Sequence, residues 1–181
     1  MKYEVRFSGS GGQGVILASV ILGTASAIYE NKETVQSQAY GPEARGGASK
    51  ADVVISDKPI GYPKARAIDA MVCLSQKAAT KYIKTLKKGG IVIVDSDFVE
   101  LPENKKYKMI KLSMSSTTLD RMGKLIALNI VALSALITIT KIVSHESLEK
   151  AVMDSVPKGT EEFNLEALKI GRELAEKSLA S

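Results

Sequence analysis

Apolar side chains first alternate with polar ones at Tyr3, Val5 and Phe7, the period of a strand. They then close up into a helical pattern from Val15 to Tyr29. Between the two lies Gly9-Ser10-Gly11-Gly12-Gln13-Gly14, so the opening reads as strand, glycine turn, helix. A turn-like Glu30-Asn31-Lys32 leads to a short strand over Thr34 to Gln38, and Lys50 to Ser56 is a further strand rich in β-branched residues. Ala39 to Gly47 separates these two and is too rich in Gly and Pro to be the interior of an element. Ala70 to Leu74, Gly90 to Val94 and Met109 to Leu112 are short apolar runs, and a lysine-bearing helix is predicted over Gln76 to Leu86. Leu125 to Thr140 is the most apolar segment, bounded by Lys124 and Lys141, and reads as a buried or interface helix. Two amphipathic helices follow, Ser144 to Val156 and Thr160 to Leu179, parted by Pro157-Lys158-Gly159. Continuous apolar strands separated by helices predict the α/β class: a three-layer Rossmann-like domain with a mostly parallel sheet and helices on both faces.

Size and composition narrow this picture. A chain of 181 residues supports one substantial core, so residues 1–181 are read as a single domain with the helices of 144–179 packed on it. Leu125 to Thr140 is shorter than the ~18 to 20 residues of a membrane span and carries Asn129, Ser134 and Thr138. No membrane role is expected. Met1 leads straight into a strand without a signal-peptide pattern, which points to the cytoplasm. Trp is absent and Phe numbers three, so no stacking platform for single-stranded nucleic acid is suggested. The net charge of +5 comes with dispersed lysines, and Lys77, Lys81, Lys84, Lys87 and Lys88 read mainly as a solvated helix face.

Candidate chemistry begins at the glycines. Gly9, Gly11 and Gly14 satisfy the dinucleotide-binding spacing, but that fingerprint also needs an acidic residue at the end of the second strand, where this chain has Val35-Gln36-Ser37-Gln38. No Lys-Ser or Lys-Thr follows the glycines, which removes a Walker-type phosphate loop. What remains is a tight turn for close packing, or a site where backbone N–H groups and the Gln13 amide face a ligand or a partner subunit. Tyr40-Gly41-Pro42-Glu43-Ala44-Arg45-Gly46-Gly47 is a loop of specified shape whose Arg45 suits a carboxylate or phosphate, or pairs with Glu43. His145, the single histidine, is read as a surface residue, and Asp95-Ser96-Asp97 as a turn cap. One cysteine, Cys73 in an apolar run, cannot build a disulfide, a cysteine zinc site or a cysteine-ligated cluster.

The glycine turn Gly9 to Gly14, followed at this distance by Tyr40 to Gly47, resembles the gamma subunit of the 2-oxoacid:ferredoxin oxidoreductases, in particular the 2-oxoglutarate (KorC-like) branch. The resemblance covers nearly the whole chain. It implies a cytoplasmic complex that decarboxylates a 2-oxoacid on thiamine diphosphate, passes electrons through iron–sulfur clusters to ferredoxin, and forms an acyl-coenzyme A. Alpha and beta subunits and a ferredoxin-like delta subunit or domain are the implied partners. Thiamine diphosphate, clusters and coenzyme A then belong to the assembled complex, with no cofactor, metal or catalytic residue assigned to this chain alone. Gly9, Gly11, Gly12, Gln13, Gly14, Tyr40, Gly41, Pro42, Glu43, Arg45, Gly46 and Gly47 are the expected cofactor-binding or interface residues. The alternatives are an indolepyruvate or pyruvate oxidoreductase subunit, or a stand-alone nucleotide-binding regulatory module. A homodimer is expected when the partners are missing.

Overall fold

The computed structural model describes residues 1–39 and 47–181. Six strands form one sheet in the order β2-β3-β1-β4-β5-β6. They are β1 (Lys2–Ser10), β2 (Glu33–Ala39), β3 (Ala48–Ser56), β4 (Ile68–Cys73), β5 (Leu86–Asp95) and β6 (Lys108–Leu112). β1 lies between β3, to which it is antiparallel, and β4, to which it is parallel. β4, β5 and β6 pair in parallel, and β2 is antiparallel to β3. Every strand but β3 therefore points the same way, and the ends of β1 and β2 emerge at one rim with β3 between them. The mostly parallel sheet is the expected one.

The apolar set Val5, Phe7, Val53, Ile55, Val72, Ile93 and Ile110 faces most of the helices on one side. These are α1 (Val15–Thr24), continued by a π-helical turn over Ala25–Tyr29, then α3 (Met114–Met122), α4 (Leu128–Thr140), α5 (His145–Ser155) and α6 (Glu161–Leu179). α4 is apolar on every face and accordingly lies inside, as its sequence predicts. It packs so closely on α6 that a Cβ at Gly171 would stand 2.1 Å from the Val131 carbonyl oxygen.

The other side of the sheet is thinner. Ile68, Met71, Cys73, Val92 and Val94 pack there under α2 (Gln76–Tyr82), together with Val99 and Leu101. The even positions of β1 also face this side and are polar. Arg6 and Asp52, cross-strand partners in β1 and β3, are buried as a two-pronged pair, Nε to Oδ1 at 2.6 Å and an Arg6 terminal nitrogen to Oδ2 at 2.7 Å. Lys50 reaches the same carboxylate at 3.0 Å, and Arg6 also donates to the Thr85 hydroxyl at 2.7 Å. The Tyr82 ring lies 5.5 Å from the guanidinium carbon. Donors on every side of the carboxylate make this buried charge tolerable.

One boundary differs from the pattern-based reading, and one helix, α3, is not part of it. The helix expected over Gln76 to Leu86 stops at Tyr82, passes through a 3-10 turn at Ile83–Thr85, and gives way to β5 at Leu86. The Thr85 hydroxyl bonds back to the Tyr82 carbonyl, and Lys87 pairs with Asp69, so the lysines split between helix and strand. α3 is amphipathic like α5, and its start is fixed from far away in sequence. Asp95 Oδ1 accepts from the Met114 and Ser115 amides at 3.2 and 3.3 Å, and Asp97 from Ser116 N at 2.7 Å. The aspartates thus cap a helix, satisfying N–H groups that lack intrahelical partners. Among the described residues, no helix is long and apolar enough to cross a membrane.

Candidate functional site

β1 ends at Ser10, paired with Ala48 of β3, and the chain then turns through Gly11 to Gly14 into α1. Gly12 and Gly14 have φ of 89° and 72°, left-handed backbone that glycine adopts at little cost. Gln13 N donates to Ser10 O at 3.2 Å, closing the turn. The Gln13 side chain then completes it: Oε1 accepts from Ser10 N at 2.7 Å, and Nε2 donates to Leu74 O at 3.0 Å. Gly9 is needed for this, since a Cβ there would lie 2.6 Å from Gln13 Oε1. Gly14 is needed for another reason, because its Cβ would stand 2.7 Å from Asn129 Nδ2, which donates to Gly14 O at 3.3 Å.

This geometry decides what the turn offers. The chain leaves β1 through α1 toward β2 and leaves β4 through α2 toward β5, so the crossovers diverge and the crevice between β1 and β4 is the topological switch point. In a dinucleotide-binding fold the pyrophosphate would enter there. Here the Gln13 amide bridges the end of β1 to Leu74, just past the end of β4. Its polar atoms are directed at the chain itself rather than outward. The exposed part of the turn is the bare backbone of Gly11 and Gly12, and nothing lies within 4 Å of a Cβ built at Gly12.

Among the described residues, exposed apolar side chains lie on and just before the helices next to that tip. From Val15 to Tyr29 there is no charged residue, yet Leu17 and Val20 on the outer face of α1 are 40% and 43% exposed. Ile126, just before the helix that carries Asn129, is 77% exposed. A helix that is apolar all round is ordinarily covered on all sides. Of the second expected loop, Gly47 is described and lies buried directly before β3. Tyr40, Gly41, Pro42, Glu43, Arg45 and Gly46 lie outside the described residues.

Other candidates resolve into structural roles. Cys73 ends β4, where burial pushes its thiol up to about 11 against a Ser8 hydroxyl at 3.5 Å and the nearby Arg6 charge. It is neither a thiolate nor accessible. Burial likewise raises the Asp95 carboxyl above its ordinary range, in opposition to the Ser115 donors, and the cap explains its retention. Among the described residues, no group of three or more His, Cys, Asp or Glu side chains gathers as a metal site. His145 is half-buried against α6 rather than fully on the surface, with burial and the Arg172 charge lowering its pKa and Glu176 opposing them. Arg6, Asp52 and Tyr82 were not singled out by motif. For Arg6 and Asp52 the one signal is a charge inside two β-branched or aromatic strands, Val5-Arg6-Phe7 and Asp52-Val53-Val54.

Comparison with known proteins decides the family. The model of pyruvate ferredoxin/flavodoxin oxidoreductase matches residues 4–174. The chain belongs to this family. It is 54% identical over 178 residues to 2-oxoglutarate synthase subunit KorC of Methanocaldococcus jannaschii, spanning 97% of this chain and 95% of that one. Its structure is similar to a keto/oxoacid ferredoxin oxidoreductase gamma subunit from Geobacter sulfurreducens, with a TM-score of 0.90, 45% identity and 98% of each chain covered. At 22% identity and a TM-score of 0.85, the fold also recurs in a 2-oxoglutarate:ferredoxin oxidoreductase from Magnetococcus marinus, where it spans 31% of a longer chain. In this oxidoreductase family member the Gln13 amide turns inward and α1 leaves Leu17 and Val20 partly exposed.

Proposed function

We propose that this chain is the gamma subunit of a multi-subunit 2-oxoacid:ferredoxin oxidoreductase of the 2-oxoglutarate type, supporting oxidative decarboxylation of the 2-oxoacid to its acyl-coenzyme A. The kinship with KorC along nearly its full length supports the assignment. The chain is a working part of an oxidoreductase without being active alone. Its single cysteine is buried, so iron–sulfur ligation falls to other subunits, and its sequence holds no thiamine-diphosphate signature.

Its own contribution is a rigid wall. One observation carries this reading: the Gln13 amide is used inside the turn, which leaves the Gly11–Gly12 backbone as a smooth tip beside an uncharged helix face. Such a tip permits the close approach of a facing backbone or of a ligand chain. Seated against the alpha subunit, the tip and the Tyr40–Gly47 loop together form one edge of the coenzyme A entrance, with Arg45 as its cationic group. The test is a reconstituted complex carrying Arg45→Ala, and separately Leu17→Lys with Val20→Lys. Arg45→Ala raises the apparent requirement for coenzyme A or loosens assembly, and the lysine pair prevents assembly while the isolated chain stays folded. Unchanged assembly and kinetics in both would defeat the reading.

A further inference from the structure

β6 is an edge of the sheet, and among the described residues no strand pairs with its outer side. Ser96 N donates to Leu112 O at 2.9 Å, so the backbone of Leu112 points toward β5. Backbone direction alternates along a strand, so Lys108 and Ile110 point the same way and Met109 and Lys111 turn their N–H and C=O groups outward. Beside this edge runs a groove of about 800 Å³, bounded by Tyr107, Met109 and Ile110 on one wall and Ser178 and Leu179 at the end of α6 on the other. Leu179 is 48% exposed there. Lys105, Lys108 and Lys111 are all exposed along it, and none pairs with an acidic group among the described residues. Glu103 is the one acidic residue of the lining.

We infer that the β6 edge is a docking site for an extended acidic segment of a partner polypeptide, which adds to the sheet as a further strand. The unpaired groups of Met109 and Lys111 supply the main-chain partners. Lys108 and Lys111 lie on opposite faces of β6, so acidic residues three positions apart in the incoming strand meet one lysine each. Ile110 and Leu179 receive an apolar side chain between them. The lysines also keep a second copy of this edge away, since pairing β6 with itself would oppose like charges. The surface selects an acidic strand over its own kind. The inference is independent of the glycine turn and of the gamma-subunit reading.

The test uses the full chain and a labelled synthetic peptide repeating Thr-Val-Glu, with its Thr-Val-Lys counterpart as a second probe. Anisotropy should show saturable binding of the acidic peptide alone, weakened about tenfold in Lys108→Glu with Lys111→Glu. Lys158→Glu, on an exposed turn elsewhere, should bind like the parent. Hydrogen exchange should slow at the amides of Met109 and Lys111 on binding. Absence of binding, equal binding of the basic peptide, or binding without protection at those amides would overturn the inference.

Discussion

Gln13 and Leu74, 61 residues apart, are joined by a 3.0 Å hydrogen bond from the glutamine Nε2 to the leucine carbonyl oxygen. The other end of the same amide accepts from Ser10 N. One side chain thus fastens the end of β1 to the chain just past β4, across the crevice where related folds admit a nucleotide.

Gln13→Ala removes partners from two backbone groups that the turn holds partly out of water. Its expected cost is about 1 to 3 kcal/mol in the isolated chain, read from urea unfolding. A variant that kept full stability but failed only in assembly would instead place the amide at the subunit boundary.

The glycines of the turn separate by experiment. Gly14→Ala meets both a left-handed backbone and Asn129 and should lose about 2 to 4 kcal/mol, whereas Gly12→Ala meets only the backbone cost, about 1 to 2 kcal/mol. Adding Asn129→Ala to Gly14→Ala should recover part of the loss. Equal effects at the two glycines would remove Asn129 from the explanation.

The buried pair beneath α2 has an asymmetric response. Asp52→Ala leaves Arg6 charged and buried and should cost about 3 to 5 kcal/mol. Replacing both, Arg6→Met with Asp52→Leu, should recover most of that, because no stranded charge remains. Thermal unfolding of the two variants side by side gives the answer.

The pH response of His145 has a defined sign. Burial, then Arg172, lower its folded pKa, so the folded state favours the neutral ring. Its contribution is present above the unfolded value near 6.5 and is lost as pH falls through the folded one. Stability should therefore decline from pH ~7 toward ~5, and His145→Gln should flatten that part of the profile. An identical slope in both proteins would assign the decline to other groups.

The fold was largely readable because its signals are local. Apolar runs such as Val53-Val54-Ile55 and Ile91-Val92-Ile93 announce strands, and the uncharged run that became α4 announces a buried helix. What escaped depends on distant partners. Nothing near Gln13 reveals that Leu74 will stand opposite it, so an outward amide is as natural a reading as an inward one. The start of α3 rests on Asp95 and Asp97, and the end of α2 on a hydroxyl turn and the Lys87–Asp69 pair. The paired positions of Arg6 and Asp52 follow from strand register, which a single strand's pattern does not state.

The turn's fastenings also set an order on synthesis. Gln13 leaves the ribosome well before Leu74, and Gly14 well before Asn129, so neither tie can form on a nascent N-terminal fragment. β1 waits as a central strand with no neighbours, beside a charge-free helix. The glycine turn is thus completed only after the segment carrying Asn129 has followed it out, long after its own residues were made.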